Sequence, residues 1–277
     1  MRFPPGATDC HAHVFGPQAR YPLLPVTHFV PHETPWPDYV AMLRNIGCDR
    51  AVLVQPSVYG TDTSAMEEAI RLAPADGIRL RAVAVVDATI TDAELQRLDA
   101  LGFRGIRINT ASATGGLRLA DAPGLARRIG ALGWHLQFYV NFREQPEVEE
   151  VIAELPVPVV IDHFGRIRTD EGLDASAFKA VLRLLGRPNC WAKLIGPYFV
   201  SDRFPAYDDL APFAQAMVAR APDRVLWGTD WPHASAREKM QSDADLADLL
   251  AQWVPDESAR RRVLVDNPAR LYGFNDD

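Results

Sequence analysis

Residues 8–16 read Thr-Asp-Cys-His-Ala-His-Val-Phe-Gly, which sets His11 and His13 two apart beside a short apolar run. Alternate residues of a strand share a face, so a strand here presents two imidazoles side by side. Such a pair can ligate a metal, polarise a carbonyl, or be two ordinary surface histidines. Later apolar runs end in groups of the same chemical kind: Asp162-His163 followed by Arg166, and Gly-Thr-Asp230-Trp-Pro-His233. Others end in Gln55, in Arg107 and Asn109, in Tyr139 and Asn141, or carry Lys193 with Tyr198 beyond it. Core strands have no structural use for charged groups, because burial without a partner is costly. A lone histidine at a strand end is more often structural. His11, His13, His163 and Asp230 at one end of one fold would instead make a site. Arg107 and Lys193 have a simpler reading too, as neutralisers of Asp230.

These residues need a frame that gathers strand ends. Val- and Ile-rich runs recur at 7–14, 50–57, 80–87, 103–109, 135–141, 158–165, 190–196 and 224–231. Their near-continuous hydrophobicity suits parallel strands covered on both faces. Segments with helical spacing separate them, as in 92–101, where Leu95, Leu98 and Leu101 follow a Thr91–Glu94 capping pattern. Segments 124–133, 148–155, 178–185 and 210–219 repeat the helical pattern. Eight strands alternating with helices, about thirty residues apart, predict an α/β fold of the (β/α)8 TIM-barrel type. Residues 15–36, rich in proline, predict a long loop after the first strand, and 256–271 predict closing helices. No linker divides residues 1–277, so a single domain is expected. An open doubly wound sheet would offer a glycine-rich phosphate turn, and no such turn follows the first strand. In a barrel of this type active sites form at the C-terminal ends of the strands. His135 opens its strand and belongs to the opposite end; His28 and His32 fall in the long loop.

The chain of 277 residues is 48% hydrophobic and 23% charged, with a formal net charge of −7. That balance argues against nucleic acid or an anionic membrane as a partner, but not against a small anion met by local arginines. Three separated cysteines, Cys10, Cys48 and Cys190, form no disulfide framework. With no basic-then-apolar N-terminal segment, the expected compartment is the cytoplasm. A homo-oligomer is compatible with all of this.

The motifs Asp-Cys-His-Ala-His-Val-Phe-Gly, Asp-His-Phe-Gly-Arg (162–166) and Gly-Thr-Asp-Trp-Pro-His (228–233), with the closing stretch 263–274, resemble the amidohydrolase superfamily. They are most similar to its branch of 2-pyrone-4,6-dicarboxylate lactonases and related sugar-lactone and muconolactone enzymes. The resemblance implies that Asp230 is the general base for water attacking a lactone carbonyl. It implies that His11, His13 and His163 polarise that carbonyl, and that Arg107 and Tyr139 hold an anionic lactone substrate. Gln55, Asn109, Lys193, Arg166 and Tyr198 complete the expected substrate-binding set. Two family positions differ: Ala113 stands where a second arginine is usual, and Ile195-Gly-Pro-Tyr198 replaces a stretch containing an arginine. Metal sites of the superfamily add ligands on strands four and five, where this chain has Arg107, Asn109 and Tyr139. No cofactor is therefore expected; the alternative is Zn²⁺ or another divalent metal on His11, His13, His163 and Asp230. The alternative functions are a zinc-dependent decarboxylase or lactone isomerase, or a non-catalytic barrel that binds carboxylates.

Overall fold

The computed structural model describes residues 2–27, 29–111, 116–239 and 242–274. Eight parallel strands lie in sequence order in one sheet: β1 (Thr8–Ala12), β2 (Arg50–Val54), β3 (Arg79–Ala84), β4 (Phe103–Asn109), β5 (His135–Tyr139), β6 (Val159–Ile161), β7 (Cys190–Leu194) and β8 (Val225–Trp227). Seven of the eight fall inside an expected run, and β3 begins one residue before its run. Helices α1 (Trp36–Ile46), α2 (Ser64–Leu72), α3 (Asp92–Leu101), α4 (Ala122–Ile129), α5 (Val148–Ala153), α6 (Ser176–Leu185), α7 (Ala211–Arg220) and α8 (Asp243–Trp253) cover the outside. The result is a nearly closed (β/α)8 TIM barrel. No helix among the described residues is long and apolar enough to cross a membrane.

Local chemistry sets the element ends. Thr91 caps α3 by accepting the Glu94 amide at 3.2 Å, whereas the Glu94 carboxylate turns to Arg97 instead of completing the box. The α4 segment continues as a tight turn to Leu132 and stops at Gly133, whose φ of 68° suits glycine. At the N-terminal end of the barrel, α9 (Glu257–Arg261), a π-helical turn (Arg262–Asp266) and α10 (Asn267–Tyr272) close the floor. There Tyr272 and Phe274 pack against the inward residues Cys10, Val52, Val83 and Leu226. His135 lies buried beside Tyr272, ring centroids 5.4 Å apart, as its place at the start of β5 requires. At the other end, the long loop after β1 is pinned by paired hydrogen bonds between Phe15 and Thr34. Its Phe15 and Tyr21 form a small cluster with Val58 and Tyr59.

Closure between β1 and β8 is made just past the strand ends. The Asp230 amide donates to His11 O and the His13 amide to Trp231 O, each at 2.8 Å. Asp9 fastens the same seam from below. Its fully buried carboxylate accepts the Thr229 amide (2.9 Å) and hydroxyl (2.6 Å), the Tyr39 hydroxyl (3.0 Å) and the His11 amide (3.1 Å). Asp9→Ala strands these buried donors and is expected to cost at least about 3 kcal/mol in denaturant unfolding, with Asp9→Asn retaining most of the stability. A loss below 1 kcal/mol for the alanine variant would show that the seam holds without Asp9.

Candidate active site

The histidines of β1 and the aspartate after β8 converge. His11 Nε2 lies 3.6 Å and His13 Nε2 3.5 Å from Asp230 Oδ1. Asp230 Oδ2 is occupied on its other side by the Tyr198 hydroxyl, which donates to it. Behind Tyr198, His233 Nδ1 is 3.3 Å away, and His233 Nε2 faces Asp243 at 3.0 Å. His13 Nδ1 sits 2.7 Å from the Val54 carbonyl. A carbonyl only accepts, so Nδ1 carries the proton and Nε2 faces the carboxylate. His163 packs edge-on between His11 (5.2 Å) and Tyr139 (4.8 Å). Gly196, φ 60°, passes so close that a Cβ there would lie 2.5 Å from His163 Nδ1. His163, Arg166 and Asp230 all take positive φ (48°, 56° and 64°). Such backbone costs about 1–2 kcal/mol per non-glycine residue and persists only where the surroundings enforce it.

Beneath these groups lies a layer of buried charge. Asp162 is fully buried, with Gln137 Nε2 at 2.9 Å, Arg107 Nε at 3.3 Å, His11 Nδ1 at 3.5 Å and Lys193 Nζ at 3.7 Å. Burial alone would raise its pKa, but Lys193, His11 and Arg107 outweigh burial and hold it well below the carboxylate range. Burial lowers the pKa of Lys193, which Asp162 partly restores. Burial also pushes His163 down to about 4 and His11 well below the imidazole range, so both rings are neutral near pH 7. Burial raises the pKa of Asp230 as well, but its contacts with His163, His13 and His11 outweigh burial and hold it below the carboxylate range.

Above this layer opens a cavity of about 340 Å³, whose wall includes His13, Arg107, Asn109, Tyr139, His163, Arg166 and Asp230, with Phe15, Phe29 and Phe199. Arg107 and Arg166 both lie over the Tyr139 ring, at 4.9 and 5.4 Å. Three expected substrate-binding residues are not on this wall. Lys193 is wholly buried and directs its ammonium to Cys10 O (2.9 Å) and Gln137 Oε1 (2.7 Å), as a desolvated cation must. The Gln55 amide donates to Gly60 O and Asp62 O, shaping the loop after β2. Tyr198 is buried behind Asp230. Sequence reading passed over Asp9 and Gln137, and gave Asp162 no role. Their one signal is a polar type inside an apolar strand or at its end. Ala113 lies outside the described residues.

The donor set also fits a divalent cation. His11 Nε2 is buried with no hydrogen-bond partner, and His11, His13 and Asp230 are grouped closely enough to share one ion. Donors about 2.0–2.1 Å from a tetrahedral zinc lie about 3.3–3.4 Å apart, near the spacing found here. Val54 O behind His13, and Asp162 behind His11, are the outer partners that metal-bound imidazoles require. Arg107, the nearby cation that would oppose a divalent ion, has its charge offset by Asp162, 3.3 Å from its Nε.

The amidohydrolase family pattern matches residues 8–274. The 4-sulfomuconolactone hydrolase of Hydrogenophaga intermedia is 35% identical over 99% of this chain and 91% of its own length. The D-galactarolactone isomerase of Agrobacterium fabrum is 33% identical over 98% of this chain and 92% of its own. A probable 2-pyrone-4,6-dicarboxylic acid hydrolase from Acinetobacter baumannii, solved with citric acid bound, has a TM-score of 0.83. It is 29% identical, covering 97% of this chain and 100% of that one.

Two outcomes follow from the buried groups. In chelator-treated protein, His11, His163 and His135 (lowered by burial to about 3) are neutral when folded and charge on unfolding below about pH 6.5. Asp9, pushed up to about 6 by burial, acts in the opposite sense. Unfolding at pH 5 should then take up about two protons net, so stability falls as pH drops from about 6.5 towards 4. Stability that is flat or rising towards acid in that window would contradict these assignments. The second outcome concerns metal: titration of the same protein with Zn²⁺ should saturate at about one equivalent, and His13→Ala should abolish that binding. Equal uptake by the variant would exclude this donor set.

Proposed function

This chain belongs to the amidohydrolase family and is a hydrolase of the lactonase type, and we propose that it opens an anionic lactone by adding water at the ring carbonyl. The observation that carries this reading is the meeting of Asp230 Oδ1 with His11 and His13 at a cavity whose wall also holds Arg107 and Arg166. In this reading Asp230 Oδ1 accepts a proton as the water oxygen bonds to the carbonyl carbon. With Oδ2 tied to Tyr198, Oδ1 is the oxygen turned towards the reacting groups. Neutral His163 donates an N–H to the carbonyl oxygen as charge builds there, a type of contact worth about 2.7–4 kcal/mol per donor in well-studied cases. The ring C–O bond then breaks, and Asp230 returns the proton to the departing ring oxygen, leaving a hydroxy acid or its enol. Arg107, Asn109, Tyr139 and Arg166 bind the substrate. Lys193, Gln137 and Asp162 act beneath them by fixing His11 and Arg107. A divalent cation, when bound, would be held by His11, His13 and Asp230 and would acidify water or polarise the carbonyl.

Isomerisation is the second reading, favoured by the similarity to a lactone isomerase. It shares the same carbonyl activation, but a substrate hydroxyl replaces water.

Asp230→Asn preserves shape and removes the base. Its kcat on the lactone that the wild type opens should fall by at least about 100-fold with little change in KM. A kcat within tenfold of wild type would remove Asp230 from the mechanism.

A further inference from the structure

The cavity wall is unevenly charged. Arg107 is a cation already engaged: its Nε is 3.3 Å from Asp162 Oδ2, and an Nη contacts Gln55 O. Arg166 differs. It ends the tight turn His163–Arg166 after β6 with φ 56°, stacks over Phe199 (4.7 Å) and Tyr139 (5.4 Å), and donates one N–H to the Tyr139 hydroxyl. Among the described residues it is the cavity-wall cation with no carboxylate partner. A guanidinium carries five N–H donors, so the rest of its fork remains for a planar anion. Arg143 and Arg118 are committed to Glu171 and Asp121 and are not on this wall. Among the described residues the rest of the wall is neutral, with Asn109, Ser57 and Ser235, or aromatic, with Phe15 and Phe29, apart from Asp230 and its imidazoles.

We propose that this cavity selects a lactone bearing one anionic substituent, received by Arg166, over the same ring bearing two. This rests on the lactonase reading above. A first carboxylate or sulfonate meets the guanidinium held on its aromatic supports, while the ring carbonyl faces Asp230. A second would be desolvated against phenylalanine rings or beside the Asp230 carboxylate, or would meet only Arg107, whose charge Asp162 already offsets. An unpaired buried charge is strongly unfavourable, so discrimination comes from rejection of the wrong substrate as much as attraction of the right one.

Matched pairs of lactones test this: muconolactone against 4-sulfomuconolactone, and 2-pyrone-6-carboxylate against 2-pyrone-4,6-dicarboxylate. The single-anion member should show kcat/KM at least about 100-fold higher in whichever pair is turned over. Equal or faster opening of the doubly charged member would overturn the selectivity and leave the lactonase reading standing. Opening of none of the four would overturn the proposal, and the lactonase reading would stand only if another anionic lactone were opened. Arg166→Gln should lower kcat/KM on the single-anion lactone by about 100-fold, chiefly through KM, and Arg166→Lys should recover at least about tenfold of that loss. Circular dichroism on both variants separates misfolding from lost binding. A well-folded Arg166→Gln enzyme within fivefold of wild type would show that the anion is held elsewhere.

Discussion

Asp162 carries a negative charge with none of its surface in water, and much of the barrel's upper layer is arranged around that fact. A carboxylate so placed must be met by cations and donors or it would take up a proton. Lys193 and Gln137 meet it from β7 and β5, Arg107 from β4, and His11 from β1. Four strands are thereby tied through side chains to the end of a fifth. The same ties decide where chemistry is possible. Arg107 is held against Tyr139, and His11 is turned so that Nε2 points at Asp230. Lys193, wholly buried, serves this layer and does not reach the cavity. Removing one partner would leave an uncompensated charge in the interior, a far larger penalty than loss of a surface ion pair.

The backbone above this layer is strained where function would place it. His163, Phe164, Arg166, Asp230 and His233 all have positive φ, although none is glycine. The strain is carried by the seam between β1 and β8, by the Asp9 hydrogen bonds and by the close passage of Gly196. These are rigid supports rather than loop contacts. A site held in this way is preorganised, so its groups need not reorganise when charge develops on a substrate.

Much of this was legible in the sequence, and the reason is physical. Strands buried on both faces are mostly apolar, so the eight could be seen as runs, and a charged or imidazole residue at the end of several of them stood out. His11, His13, His163 and Asp230 were found that way, and the structure brings them together. What could not be read was direction and pairing. Lys193 and Arg107 look alike as cations on strands, yet one side chain turns into the sealed interior and the other reaches the cavity. That difference depends on the pleat of β7 and β4 and on which carboxylate lies within reach. Asp9 was hidden because a lone aspartate between Thr8 and Cys10 gives no hint that its partners are Thr229 and Tyr39, far along the chain. The fit of a metal turns on the same pairing, since the charge of Arg107 opposes a cation only as far as Asp162 beside it leaves it unbalanced.

The account stands on one chemical event, the bonding of a water oxygen to a lactone carbonyl at Asp230. Turnover of an anionic lactone in ¹⁸O-enriched water, followed by mass spectrometry of the product, observes that event directly. The account requires one labelled oxygen per opened ring, located in the new carboxylate, with the alcohol or enol oxygen unlabelled. A rearranged lactone free of label would assign the site to isomerisation. Label in the hydroxyl in place of the carboxylate would mean that water attacks the alkyl carbon, and the carbonyl mechanism would be wrong.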